Sequence, residues 1–95
     1  MRILSEPGRF FVRTRAGEAE LLYRINDDVM SMFHTYVPES ERGKGVAERL
    51  ALEAFGFARK KNLMVRPDCS YVRHFVENHK EFSDMVIASA NDSSG

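Results

Sequence analysis

Three places in the sequence combine residue types that could support group-transfer chemistry. The first is a loop with two glycines and two basic residues, running from Arg42 to Ala47. The second is Cys69, the single cysteine of the chain, and the third is His34. These are residue types for anion binding, nucleophilic attack and proton transfer respectively. The remaining sequence must supply the elements that position them.

The glycine loop predicts an anion site. A predicted strand ends just before it and a long helix begins at Gly45, so the first helical N–H groups lack intrahelical acceptors and favour a phosphate. Gly43 and Gly45 permit close approach to the backbone, and Arg42 and Lys44 add positive charge. The alternative is an ordinary strand-to-helix turn. The loop is no Walker motif, and Glu48 prevents a complete Gly-x-Gly-x-x-Gly.

Cys69 and His34 each have a functional and a structural interpretation. Cys69 follows a predicted strand and precedes a predicted helix, where Arg66, Arg73 and His74 could favour a thiolate. The alternative is a buried structural thiol, which is common for a free cysteine. His34, near the end of a predicted strand, could act as a general base, or could be hydrogen-bonded within the sheet.

Metal ligation is not expected. The three histidines and the cysteine are scattered, and His74 and His79 are five residues apart, which differs from the i, i+4 spacing of a helical pair.

Length and composition limit the class of protein. Ninety-five residues suit one domain, and a single cysteine excludes a disulfide scaffold. Fourteen basic and 14 acidic residues give no net charge for holding a polyanion, so no nucleic-acid partner is expected. No apolar run approaches the roughly 20 residues of a membrane span, and the segment Met1–Pro7 does not resemble a secretory signal. We therefore expect a cytoplasmic domain without a membrane partner, as a monomer or weak dimer.

The elements that hold these residues follow from periodicity. From Arg9 to Tyr36 apolar residues alternate with a period near two, which predicts three antiparallel strands with turns at Ala16-Gly17 and Asn26–Asp28 and a third strand over Val29–Val37. From Gly45 the apolar spacing changes to three and four, which predicts a long amphipathic helix.

The second half completes the predicted fold. Asn62 is the expected C-cap of the long helix. Leu63–Arg66 is expected to form a short strand, and Asp68 or Ser70 is expected to cap a second helix. The predicted class is α/β, a single domain with a mixed, mostly antiparallel sheet, two or three helices and the order β-β-β-α-β-α. The domain is expected over residues 1–87, with residues 88–95 as a disordered tail.

Three separated motifs resemble one family. Ser40 to Gly45, followed by Val46-Ala47, is similar to the Gln/Arg-x-x-Gly-x-Gly/Ala loop of the GNAT acyltransferase superfamily, with serine at its first position. The segments His34–Pro38 and Pro67–Val72 resemble a compact GNAT-like family, whose members lack the N-terminal helices of larger enzymes and carry a cysteine at the second segment.

The resemblance implies acetyl-CoA binding and N-acetyltransferase activity towards an unidentified amine, with a protein lysine among the candidates. It places the cofactor's pyrophosphate on the loop that includes Val46 and Ala47, and the pantetheine arm near Tyr36 and Val37. It also places a candidate catalytic cysteine at Cys69. Transfer through that thiol and direct transfer with His34 as base remain open. The alternative is a non-catalytic module that binds acetyl-CoA or a protein.

Overall fold

The computed structural model describes residues 1–87, which form one five-stranded sheet with two α-helices packed on one of its faces. The strands are β1 (Leu4–Glu6), β2 (Arg9–Thr14), β3 (Gly17–Asn26), β4 (Val29–Tyr36) and β5 (Met64–Pro67), and the helices are α1 (Val46–Lys60) and α2 (Ser70–Asn78). Short 3-10 turns span Glu39–Glu41 and Lys80–Met85. The predicted fold class is confirmed. The predicted tail, residues 88–95, lies outside the described residues.

The strand order follows the chain order, β1-β2-β3-β4-β5, and only the β4–β5 pair is parallel. The predicted order omitted β1, so the observed order is β-β-β-β-α-β-α. This strand has three residues, from Leu4 paired with Phe11 to Glu6 paired with Arg9. A segment of that length is too short for its alternation to stand out in the sequence.

Both hairpin turns lie close to their predicted positions. Thr14 pairs with Gly17 across a two-residue turn at Arg15-Ala16, one residue earlier than predicted. The Thr14 hydroxyl accepts the Ala16 N–H at 3.1 Å, which explains the shift, because this side-chain contact closes the turn before the glycine. In the second turn Asp27 has φ 55°, a conformation that aspartate tolerates.

The hydrophobic core lies between the helices and one face of the sheet. Strands β2, β3 and β4 direct alternate residues towards α1, and α2 joins the same cluster through Val72 and Phe75. The ring of Phe55 on α1 lies 5.2 Å from that of Phe75. The opposite face of the sheet, which we call the open face, has no helix over it in residues 1–87.

The C-terminus of α1 lies close to its predicted position, whereas the predicted N-cap of α2 does not match the structure. The C-cap of α1 is Lys61, one residue before the predicted Asn62, and Asn62 follows it with φ 59°. The Leu63 and Asn62 N–H groups donate to Ala58 and Arg59 O at 2.8 and 3.1 Å, which ends α1 in a Schellman motif. The predicted cap of α2 was wrong. Cys69 is its N-cap and its side chain makes no capping bond. Asp68, one of the two predicted caps, instead accepts hydrogen bonds from Ser31 and Arg66, and Ser70 is the first helical residue.

No helix within the described part of the chain is both long and apolar enough to cross a membrane.

Candidate functional site

Strands β4 and β5 separate halfway along β4. Their parallel pairing ends at Met32 and Pro67, and the Asp68 N–H donates to Met32 O at 3.0 Å. At the same point the register of β4 against β3 shifts, with Phe33 as the extra residue. Beyond it β4 continues to Tyr36 without a β5 partner. The result is an opening beside β4 where a ligand could take the place of a strand.

The Asp68 carboxylate holds the turn from β5 into α2. It accepts hydrogen bonds from Ser31 Oγ at 2.6 Å and Arg66 Nε at 2.8 Å. Burial alone would raise the pKa of Asp68, but the Ser31 hydrogen bond and the Arg66 guanidinium outweigh it and lower that pKa. Since Cys69 follows directly, this cluster sets where the thiol lies.

The glycine loop presents a row of backbone donors. Gly43 and Gly45 have φ 83° and 81°, and Gly45 is the N-cap of α1. Arg49 is the first residue of the helix whose N–H has an acceptor, Gly45 O at 3.1 Å. Within residues 1–87 the six N–H groups from Gly43 to Glu48 have no protein acceptor. Such a row, at the positive end of a 15-residue helix, suits a phosphate.

The two basic residues of the loop are held differently. Arg42 Nε donates to Val37 O at 2.9 Å, which ties the loop to the end of β4. Lys44 Nζ lies 3.4 Å from Glu41 Oε1, and its side chain is 61% exposed. Arg42 therefore shapes the loop, whereas Lys44 can turn towards an anion.

A cavity of about 230 Å³ lies in front of these donors. Its walls include Val37, Val46, Ala47 and, from the start of α2, Tyr71. Burial and the nearby Glu48 carboxylate raise the pKa of Tyr71, so its hydroxyl remains a hydrogen-bond donor at neutral pH. The cavity therefore joins the glycine loop to α2.

The Cys69 thiol is half-buried and lies beside β4. Its Sγ is 3.5 Å from the hydroxyl oxygen of Thr35. The three basic neighbours that the sequence suggested have other partners: Arg66 pairs with Asp68, and Arg73 Nη1 donates to Pro67 O at 3.2 Å. His74 Nε2 lies 3.2 Å from Asn78 Nδ2. The thiol thus contacts a neutral hydroxyl at the edge of the opening between β4 and β5.

His34 lies on the other side of β4. It pairs across strands with Leu22, so its side chain is on the open face, and its Nε2 is 3.7 Å from Glu20 Oε2. Tyr36 shares that face and is 46% exposed. The structure therefore brings the glycine loop, Val37 and Cys69 to one side of the sheet and separates His34 and Tyr36 from them.

Sequence reasoning missed Thr35 and gave little weight to Tyr71. Alternation along β4 predicts that Thr35 is on the face opposite His34, but only the tertiary fold shows that Cys69 meets it there. Tyr71, the second residue of α2, lies four positions before Phe75, a spacing that favours a core role; it is partly buried, packs against the core and also lines the cavity.

Residues 1–87 contain no group of three or more His, Cys, Asp or Glu side chains arranged to hold a metal ion.

One comparison assigns the chain to a family, and a second matches its fold. The profile of the GCN5-related N-acetyl-transferase family matches residues 9–85, which includes the glycine loop, both sides of the β4–β5 opening and Cys69. The chain belongs to this family, and its domain is a GNAT-like N-acetyltransferase domain. The NMR solution structure of a GCN5-like protein from Staphylococcus aureus has the same fold, with a TM-score of 0.71 and 22% identity over 92% of this chain and 88% of that one.

Curated proteins named NATD1 resemble this chain at low sequence identity. Protein NATD1 of Bos taurus is 34% identical over 62 residues, which cover 64% of this chain and 55% of that protein. Protein NATD1 of Danio rerio is 30% identical over 73 residues, 74% of this chain and 66% of that protein. The human protein is 32% identical over 62 residues. The matched part of this chain thus spans about 55–66% of the length of these relatives.

Proposed function

We propose that this domain binds acetyl-CoA and transfers the acetyl group to an amine. The observation that carries the proposal is the row of N–H groups from Gly43 to Glu48 beside the 230 Å³ cavity, next to the stretch of β4 that has no β5 partner. A ligand with a pyrophosphate joined to an extended amide-containing arm would use both features. Family membership supports the same ligand class.

In this proposal the cofactor follows a continuous path. Its pyrophosphate binds the N–H groups of the glycine loop, with Val46 and Ala47 behind them. Its pantetheine arm runs along β4 past Val37 and Tyr36, where it takes hydrogen bonds that β5 does not use. The thioester then lies in the opening near Cys69.

Cys69 supports a covalent route. The thiolate would attack the thioester carbonyl carbon, the bond from that carbon to the CoA sulfur would break, and CoA would leave and take up a proton. An amine would then attack the acetyl-cysteine, lose a proton and regenerate the thiol. Thr35 would hold the sulfur in place through its hydroxyl.

The alternative is a direct route, in which the amine attacks the cofactor thioester through the opening from the open face and positioning supplies most of the acceleration. His34, which β4 separates from Cys69, would be the base of this route. His34 and Glu20 are exposed on the open face, so an amine that approaches from that face meets a base and a carboxylate. Because no helix covers this face in residues 1–87, we propose an acceptor as large as a protein lysine.

A second candidate function is binding of acetyl-CoA without turnover. One observation favours it: the Cys69 thiol contacts a neutral hydroxyl, while Arg66 and Arg73 are engaged elsewhere. A thiol in such a contact lacks the nearby cation that activates many nucleophilic cysteines.

Titration of 15N-labelled protein with acetyl-CoA tests the binding step. The amides from Gly43 to Glu48 should shift most, followed by those of β4 near Val37, while amides at the far end of β3 near Asn26 should not move. Shifts that are absent, or confined to surfaces away from α1, would contradict the proposal.

Incubation with acetyl-CoA and no acceptor tests the covalent route. We expect one added acetyl group on Cys69 by mass spectrometry, and protection of the thiol from iodoacetamide by bound cofactor. Cys69→Ala should abolish transfer to amines and leave CoA affinity nearly unchanged, as expected for a transition-state role. Full activity in Cys69→Ala would favour direct transfer, and binding without any turnover in the unmodified protein would favour the second candidate.

A further inference from the structure

A second, larger cavity lies on the other side of the α1 N-terminus. It has a volume of about 780 Å³ and is bounded by the β2–β3 hairpin, the start of the chain and the glycine loop. Glu41 and Val46 line both this cavity and the smaller one in front of Tyr71, so the two are neighbours with the loop between them. Sites that bury small ligands have volumes of about 300–1,000 Å³.

The larger cavity is strongly basic although the protein carries no net charge. Its walls include Arg2, Arg13, Arg15 and Lys44, against the single carboxylate of Glu41. Arg13 is paired with Glu18, and Lys44 with Glu41. In residues 1–87 neither Arg2 nor Arg15 forms an ion pair, so these two guanidinium groups are available to an anion.

The same cavity has an apolar side. Leu4, Val12 and Val46 also line it, although Val12 and Val46 are largely buried. A nucleoside could contact this apolar lining while a phosphate attached to it met the guanidinium groups. A nucleoside phosphate has this combination of surfaces.

We infer that this basic cavity binds the adenosine 3′-phosphate of coenzyme A, an inference that rests on the proposed function. The pyrophosphate at the glycine loop leaves one ribose unit between itself and the 3′-phosphate, and the larger cavity shares two wall residues with the smaller one. Arg15 on the hairpin and Arg2 at the start of the chain hold the dianion. The consequence is selectivity for coenzyme A over dephospho-CoA, which lacks that phosphate.

Calorimetric titration with coenzyme A and with dephospho-CoA tests this inference. In buffer of low ionic strength the unmodified protein should bind coenzyme A about tenfold more tightly, the scale of a hydrogen-bonded charge pair. Arg15→Gln and Arg2→Gln should each reduce that ratio, the double variant should bring it near one, and affinity for dephospho-CoA should stay constant. Arg24→Gln is the matched control, because it removes the same charge from an exposed position on the open face.

The outcomes separate this inference from the function beneath it. If neither ligand binds the unmodified protein, the proposed function fails. If both bind equally, or if the arginine variants weaken both equally, only the assignment of this cavity fails.

Competition with nucleotides is a second test. Adenosine 3′,5′-bisphosphate should compete with coenzyme A and adenosine 5′-phosphate should compete far less. Binding of the bisphosphate without competition would mean that the cavity takes a separate phosphate ligand, which also overturns the assignment. Arg2 lies before the first strand, so Arg2→Gln remains informative if Arg15→Gln disturbs the hairpin.

Discussion

Position 43 requires glycine because of its backbone conformation. Crowding by other protein atoms is not the reason. An added Cβ would have no protein atom within 4 Å, but φ is +83°. Gly43→Ala should therefore lower the free energy of unfolding by about 1–2 kcal/mol, the cost of the left-handed conformation for a residue with a Cβ. It should also weaken CoA binding, since the Cβ would stand where the phosphate approaches.

Gly56→Ala is the control for that substitution. Gly56 lies within α1, an added Cβ there also has open space, and alanine is the better helix former. Denaturant unfolding and calorimetry on both variants make the comparison. Unchanged CoA affinity in Gly43→Ala would mean that the loop acts only as a turn.

Arg42 and Lys44 should respond differently to salt. Lys44 is an exposed charge, so Lys44→Ala should weaken CoA binding at low ionic strength and have little effect near 1 M salt, where the screening length is about 3 Å. Arg42 is hydrogen-bonded to Val37 O, so Arg42→Ala should weaken binding at every salt concentration by loosening the loop. Calorimetry over a salt series checks this. Identical salt dependence for the two variants would contradict it.

Asp68 should contribute to stability in a defined pH range. Its pKa is lowered in the folded protein, so its contribution is present above its unfolded pKa of about 4 and is lost as the pH falls through the lower folded value. Asp68→Asn should cost about 1.5–3 kcal/mol at pH 7, the scale of hydrogen bonds to a charged group, and should flatten the pH dependence of unfolding below about pH 4.

Asp84→Asn provides the comparison for Asp68→Asn. The Arg59 guanidinium lowers the pKa of Asp84 as well, but that pair is exposed and screened by solvent. Its effect on stability should be the smaller of the two at pH 7. An equal effect would mean that the Ser31 and Arg66 contacts add nothing at Asp68.

Among the elements, α1 shows how local signals determine both ends of a helix. Asn62 adopts φ 59° and forms a Schellman motif, so Asn62→Ala should destabilise the protein by about 1–2 kcal/mol, whereas Asn62→Gly should be close to neutral. Thermal unfolding of the two variants measures the difference. Equal melting temperatures for the two variants would contradict this, because they would show that alanine adopts the left-handed conformation at position 62 as easily as glycine does.

The sequence predicted those elements whose signal is local. The alternation of β2 to β4 and the helical spacing of α1 extend over eight or more residues in most of these elements, long enough to be recognised. Strand β1, three residues long, has no such pattern and forms because β2 offers an unpaired edge. Likewise the glycine loop was found from its residue types, while the contact between Thr35 and Cys69 depends on where β4 and β5 separate, which is a property of the whole sheet.

At the scale of the molecule, the open face of the sheet is stabilised by arginines. Arg9 lies 4.0 Å from the centre of the Phe11 ring and pairs with Glu6, Glu18 and Glu20, which raises its pKa further above the ordinary arginine value. Arg9→Gln should lower the free energy of unfolding by about 1 kcal/mol, because it leaves three carboxylates near one another and uncovers the ring. Denaturant unfolding at low and high salt measures this loss, which should shrink as salt screens the carboxylates. A loss independent of salt would assign the effect to the ring contact alone.

The single parallel strand pair bears on how the chain folds. Strands β1 to β4 pair with sequence neighbours through short turns, whereas the connection between Val29–Met32 and Met64–Pro67 contains the whole of α1. Contacts of such separation carry the larger loop-closure entropy and form late. We therefore expect the meander and α1 to assemble first, with the opening between β4 and β5 completed in the last step of folding. A ligand bound in that opening would therefore lower the rate of unfolding and prolong the lifetime of the native state, while the rate of folding would stay almost the same.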